Sequence, residues 1–324
     1  MLKVSYKITI GTAVYTPGNQ TPLHEVRSHS SLDVPANTCR IILGLTKDVT
    51  IAPDDAVSVE LGDERNQTLV FTGKVSTVDW GIDRVSIYAD SSFAKLTSAR
   101  FNLLYEKSSA GDIVRDIVQN RLKVAVENVE SGLQFPVYAI GDRSPAYDHL
   151  KTLSQQCGFD FYANVQDKAV FAQYQAAATH DCNYGVNILN FNLDQSTKRI
   201  TKVEVYGESP SSQGQGQQAY SWLTKQDVKG SAGSNSGINV RRADPTARTQ
   251  QIADKVAAAL LENLRQKQRG SVKVLGTPYV KLGDAVNVSQ MPVSQLNGSF
   301  KVIGVTHCLN HRSGFYTTIA WEEA

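Results

Sequence analysis

One β-rich pattern occurs twice in this chain, near its two ends and about 230 residues apart. The first copy is Pro53-Asp54-Asp55-Ala56-Val57-Ser58-Val59, then Val70-Phe71-Thr72-Gly73-Lys74-Val75, then Arg84-Val85-Ser86-Ile87-Tyr88-Ala89. The second is Leu282-Gly283-Asp284-Ala285-Val286-Asn287-Val288, then Lys301-Val302-Ile303-Gly304-Val305-Thr306, then Tyr316-Thr317-Thr318-Ile319-Ala320-Trp321. Each copy is a turn, a short strand, a Gly-marked strand and a third alternating strand. The repetition predicts two related all-β units that superpose, with Val57 matching Val286 and Gly73 near Gly304. A single active site gains nothing from such doubling, whereas a protein that offers similar faces to a ring of identical partners does.

The chain has 324 residues, room for two or three units with cores of their own. Residues 1 to about 92 read as strands throughout, beginning with the alternation Val4, Tyr6, Ile8, Ile10. Six or so short strands without a helix suggest a small closed barrel, because closure removes unpaired edges. The middle changes character. Ser109-Ala110-Gly111-Asp112 has the form of a capping box, and Ile113, Val114, Ile117, Val118 and Leu122 make an amphipathic stripe. Ser144-Pro145 opens a second helix that stops at Cys157-Gly158, and a hairpin turns at Gln166-Asp167-Lys168.

From Ile188 the pattern is β again, with mobile Gly/Ser/Gln-rich loops expected over 208–240. A long helix is predicted over 245–268, capped at Asp244-Pro245, its apolar face (Ile252, Val256, Leu260, Leu264) lying on the second barrel. The expected fold is therefore mainly β with an α+β insert: a first β-barrel over 1–95, an α+β domain over 96–180, and a second β-barrel over 181–324 that carries the long helix.

Net charge is +2 and the Lys and Arg pairs are scattered, so no basic face of the kind a dedicated nucleic-acid binder needs is present. No run of 18 apolar residues exists, and the alternating N-terminus lacks the apolar block of a signal peptide. Stable membrane insertion is not expected. Folding in a reducing cytoplasm is, with Cys39, Cys157, Cys182 and Cys308 as buried free thiols.

Motifs for chemistry are weak. Gly214-Gln215-Gly216-Gln217-Gln218-Ala219 has dinucleotide-type glycines but no helical pattern after them. His307-Cys308 with His311, and His180 with Cys182, lack the paired spacing of zinc ligands, and His307 and Cys308 would point to opposite faces of a strand. The acid pairs Asp54-Asp55 and Glu322-Glu323 fall at a turn and at the last residues, where solvated carboxylates are expected rather than a facing pair. No catalytic, cofactor-binding or metal-binding residue is assigned.

Several stretches together resemble the tail hub proteins of contractile-tailed phages and related injection systems, the late control D proteins and the hub part of the type VI spike protein. They are Ser108 to Leu122, Ser144 to Phe171 with Leu153…Cys157-Gly158-Phe159, the long helix, Pro278 to Val286, and Phe300 to Ile319 with His307 where the family carries it. The resemblance implies a non-enzymatic scaffold without a cofactor: a trimeric ring at the distal end of the tail, joining the six-fold tube to the three-fold spike. Implied partners are two further copies of the chain, the tail tube or tube-initiator protein, the spike, baseplate wedge proteins and the tape measure protein. Implied placement is the baseplate, after assembly in the bacterial cytoplasm. The strand pattern runs to Glu322-Glu323-Ala324 with no oligosaccharide-binding barrel or β-helix after it, so the spike is expected on a separate polypeptide. Rival expectations are a distal tail or receptor-binding protein, and a tail-associated cell-wall hydrolase.

Overall fold

A computed structural model describes residues 4–18, 21–46, 49–194, 200–207, 228–265 and 268–323. The first β unit comprises β1 (Val4–Ile10), β2 (Ala13–Tyr15), β3 (Leu23–Ser31), β4 (Thr38–Gly44), β5 (Ala56–Asp63), β6 (Gln67–Trp80) and β7 (Arg84–Asp90). The middle follows with α1 (Ala94–Ser98), β8 (Leu103–Ser109), α2 (Ala110–Arg115), a π-helical stretch over Asp116–Arg121, β9 (Val126–Val129) and β10 (Gln134–Ile140). It continues through α3 (Ala146–Cys157), β11 (Asp160–Ala163) and β12 (Ala169–Ala172). Two strands, β13 (Thr179–Asn183) and β14 (Ile188–Asp194), begin the second β unit. The chain then leaves it for β15 (Ile200–Tyr206), β16 (Lys229–Gly233), β17 (Ile238–Ala243) and α4 (Gln250–Leu264). It returns as β18 (Arg269–Leu275), β19 (Ala285–Ser289), β20 (Gly298–Asn310) and β21 (Gly314–Glu323).

The protein is mainly β, and the two β units form one 13-stranded sheet. Its main path runs β14, β18, β21, β20, β3, β4, β7, β6, β5, β1, β2, with β19 and β13 branching from β20. That path is open. The closed barrels expected from strand count are not formed by the described residues, because the outer strands of each unit do not pair with each other. Each unit nevertheless has its own apolar core, one around Ile8, Val26, Ile41, Phe71 and Ile87, the other around Val272, Val286, Phe300, Ile319 and Trp321.

The repeat is visible hydrogen bond by hydrogen bond. Strands β5, β6 and β7 form an antiparallel meander, as do β19, β20 and β21. Before each first strand an aspartate closes a turn: Asp55 Oδ2 accepts from Ala52 N at 2.9 Å, and Asp284 Oδ2 from Lys281 N at 3.1 Å. The residue ahead of it is left-handed in both, Asp54 at φ +70° and Gly283 at φ +89°. The aspartate carbonyl then accepts from Val75 N at 2.9 Å and from Val302 N at 3.0 Å. One bulge follows in each long strand, at Ser76 and at Ile303.

With this register, Val57 pairs with Gly73 and Val286 with Phe300. Gly73 therefore corresponds to Phe300, and Thr77, not Gly73, corresponds to Gly304. Phe71-Thr72-Gly73 is inverted to Gly298-Ser299-Phe300. In each copy the ring lies over the glycine two residues away on the same face of the strand.

The middle forms where its local signals say it should. Ser109 caps α2, its hydroxyl accepting from Asp112 N at 3.1 Å while the Asp112 carboxylate accepts from Ser109 N at 3.2 Å. Gly158, at φ +70°, ends α3. The β11–β12 hairpin pairs Ala163 with Ala169 across the expected turn.

Helix α4 is the main departure. It begins after Thr249, which accepts from Ile252 N at 3.3 Å, and not at Asp244-Pro245. It packs on β15, β16 and α3, sharing one core with the α+β middle rather than lying on the second β unit. The reason is local: β15 to β17 immediately precede it and offer the apolar face that α4 must cover. Part of the expected mobile loop is in fact β16 and β17, and Gly230 in β16 lies against α4 so closely that a Cβ would collide with the Ala253 backbone. The rest of that loop, over 208–227, with Gly214 to Ala219, lies outside the described residues.

Two outcomes follow for stability. Val256 is 0% exposed in the middle core. Val256→Asp should cost about 3–5 kcal/mol, the scale of an unpaired buried charge, and abolish soluble expression. Normal yield and melting temperature would refute this burial. His307 in β20 is buried, bonded to Thr317 Oγ1 at 3.0 Å, and burial pushes its pKa down to about 4. An unfolded histidine titrates near 6.5. Its neutral burial is thus fully accommodated above pH 6.5, and stability drains away as pH falls from 6.5 toward 4, by up to about 1.4 kcal/mol per pH unit. In denaturant titrations at pH 7 and pH 5, His307→Gln should show a smaller acid loss than the parent protein. An unchanged pH dependence would show that the ring is not held neutral.

Candidate assembly joints

Two joints hold the molecule together, and both are built from residues far apart in sequence. The first is main-chain. β20 runs on past its bulge and pairs antiparallel with β3, from Gly304 opposite Ser31 to Asn310 opposite Glu25. Leu32 N donates to Ile303 O at 2.9 Å, so the joint starts at the bulge itself. Side chains reinforce it: His29 Nδ1 and Thr306 Oγ1 lie 2.9 Å apart, and Leu309 packs onto the core of the first unit. Burial lowers the His29 pKa from its usual range, with Arg27 adding to the effect.

The second joint is polar and seats the β11–β12 hairpin between the β units. On one side, Asn37 Nδ2 donates to Ala163 O at 2.8 Å, and the Asp167 carboxylate accepts from Ser92 N and Ser92 Oγ, both at 2.8 Å. On the other side, Lys301 Nζ meets Asp160 Oδ1 at 2.7 Å and Glu322 Oε1 at 3.8 Å, and sits 4.8 Å from the centre of the Tyr174 ring. Arg269 Nη2 donates to the same Glu322 at 2.9 Å. Lys151 Nζ donates to Leu32 O at 2.8 Å, tying α3 to the end of β3; burial lowers the Lys151 pKa.

The acids expected to be solvated divide. Asp54-Asp55 form the turn described above, whereas Glu322 is buried and paired, because β21 brings it beside Lys301 and Arg269. The zinc candidates disperse as well. His180 Nε2 meets the fully buried Asp284 Oδ2 at 2.8 Å, Cys182 lies in the second apolar core, His307 bonds Thr317, and His311 is exposed beside His24. Among the described residues no three His, Cys, Asp or Glu side chains are grouped to hold a metal ion. Cys39, Cys182 and Cys308 are buried, Cys157 is half-buried, and burial pushes the Cys157 and Cys182 thiols up to about 11. A cleft of about 420 Å³ opens beside the second joint, lined by Glu127, Asp160, Tyr162, Tyr174 and Gly283. Its lysine-facing acid, Asp160, is already committed to Lys301. The pairings of Asp167 with Ser92, Lys151 with Leu32 and Lys301 with Asp160 carry no mark in the sequence, because the partners lie 75 to 141 positions apart.

Solved structures with a similar fold include phage and prophage tail proteins and a type VI secretion component. The tail protein from Neisseria meningitidis MC58 is 14% identical, with a TM-score of 0.73 and coverage of 99% of this chain and 96% of that one. The 43 kDa tail protein of prophage MuSo2 from Shewanella oneidensis is 13% identical, with a TM-score of 0.70 and 98% of both chains covered. The E. coli c3393 protein is a type VI secretion component with structural similarity to the T4 tail proteins gp27 and gp5. It is 12% identical, with a TM-score of 0.60, and the match covers 97% of this chain and 76% of that one. No curated protein matches the sequence. The family model of the Alg8 N-terminal domain matches residues 42–311, and the chain belongs to that family.

Proposed function

We propose that this chain is a structural tail hub: three copies form a ring that joins a six-fold tail tube to the three-fold spike of a contractile injection machine. The observation that carries this reading is the doubled β unit. The turn, the bulge and the meander recur with the same hydrogen bonds in one polypeptide. Three chains then present six similar units, which a six-fold neighbour can meet one by one, while a three-fold neighbour meets whole chains. The fold shared with phage tail proteins and with a type VI secretion component supports the same placement.

In this reading the two β units, 1–95 and the strands of 181–324, face the tube. The α+β body, 96–180 together with the returning helix α4, braces them from the side. The partners are the tube or tube-initiator protein, the spike, the wedge proteins and the tape measure protein, and the chain acts in the baseplate by multivalent contact rather than by catalysis.

Copy number in the intact particle is the decisive measurement. Three copies around a three-fold axis are expected in a reconstruction of the distal tail. Six or twelve copies, or a ring without three-fold symmetry, would overturn the hub reading. So would peptidoglycan clearing by the purified chain that a single acid substitution removes.

A further inference from the structure

The main-chain joint inside the chain is half of a repeating contact. Its donor half is the end of β20 beyond the Ile303 bulge, and its acceptor half is the outer edge of β3. Both halves recur in the other unit. The end of β6 beyond the Ser76 bulge corresponds to the end of β20, so Trp80 stands where His307 stands, and Ile82 follows two positions on, in the β6–β7 turn. β14 corresponds to β3. Each carries a bulge at its start, His24 in β3 and Leu189 in β14, and each pairs inward with the strand equivalent to its own unit's β4 or β18. Counting from those bulges, Val26 matches Phe191, Ser28 matches Leu193 and His29 matches Asp194.

In the second pair both edges are open. Among the described residues, β6 beyond Ser76 pairs only with β7, and β14 pairs only with β18. The tip of the β6–β7 hairpin is also apolar and uncovered: Trp80 is 54% exposed and Ile82 101%. In β20, by contrast, Leu309, two residues past His307, is packed on the core of the neighbouring unit. An exposed strand edge with apolar side chains invites another strand.

We propose that these two edges pair between copies of the chain, β6 of one adding antiparallel to β14 of the next. Trp80 then lies opposite Leu193 of the partner subunit, as His307 lies opposite Ser28, and the turn residue Ile82, just past the end of β6, is brought toward the end of β14 that carries Phe191 of the partner subunit. The contact is head to tail, so one joint alternates within and between chains until the ring closes. The choice of three chains rests on the hub reading; the pair of edges does not. The same register sets Asp79 against Asp194 of the partner subunit, a like-charge pair that weakens the contact.

The test is disulfide trapping in the full chain carrying Trp80→Cys and Leu193→Cys, with both single variants and the parent as controls. Directly opposed residues of paired strands are about 4.5–5.5 Å apart at Cα, within the reach of a disulfide. Oxidation accumulates weak encounters, so a stable ring in dilute solution is not needed. The expected result is a non-reducing ladder that ends at a covalent trimer, absent from every control. Adding Asp194→Lys should raise the cross-linked yield several-fold. A ladder running past the trimer upholds the edge contact and overturns the three-fold hub. Free thiols in a double variant that melts like the parent, while particles still contain three copies, overturn the edge contact and leave the hub reading standing. An Asp194→Lys variant with unchanged or lower yield overturns the register.

Discussion

Strand β20 shares its main-chain groups with three neighbours, and the arrangement of the rest depends on that sharing. Near its start it pairs with β19, along its length with β21, and past Ile303 with β3. A buried strand cannot leave its N–H and C=O groups unpaired without a desolvation cost. The extra length of β20 therefore has to find an edge, and the fold supplies one from the opposite end of the chain. The bulge at Ile303 is where β20 changes neighbours, consistent with the way an inserted residue bends and twists a strand. From this single constraint it follows that the two β units are one sheet rather than two bodies on a tether.

The polar joint has a different character. Lys301, Asp160 and Glu322 are half-buried or buried charges that satisfy one another, with the exposed Arg269 closing over Glu322 from outside. Desolvation cancels much of the attraction in such pairs, so their main contribution is orientation rather than net stability. They accept one seating of the β11–β12 hairpin and penalise others that would strand a charge. Main-chain bonding thus fixes how the β units relate, and charge pairing fixes how the middle sits against them.

Much of this was legible where the signal is local. The capping box at Ser109, the stop at Gly158 and the turn before Val57 and Val286 each follow from a few adjacent residues. The apolar face of α4 was legible too, since a spacing of four residues names the buried side. It does not name the covering surface, and α4 went to the middle, not to the second β unit. Closure of the β units was not legible because it depends on whether two distant edges meet. The glycines of β16 read as a loop, although the close approach of α4 is what calls for Gly230. Residues of the polar joint carry no motif; only the folded chain brings them together.

The inverted Phe71-Thr72-Gly73 and Gly298-Ser299-Phe300 triplets bear on how such a chain avoids misfolding. Two similar meanders in one polypeptide could exchange strands, β20 pairing with β7 or β6 with β21. Trp321, 0% exposed and stacked on Phe300 at 4.0 Å between ring centres, occupies the place that Ala89 holds in the first unit. A hybrid would set Phe300 against Ala89 and leave a void, or Phe71 against Trp321 and crowd the core. Either outcome costs packing energy. The backbones are near copies, but the two interiors are filled from opposite positions, so each meander recognises its own strands during folding.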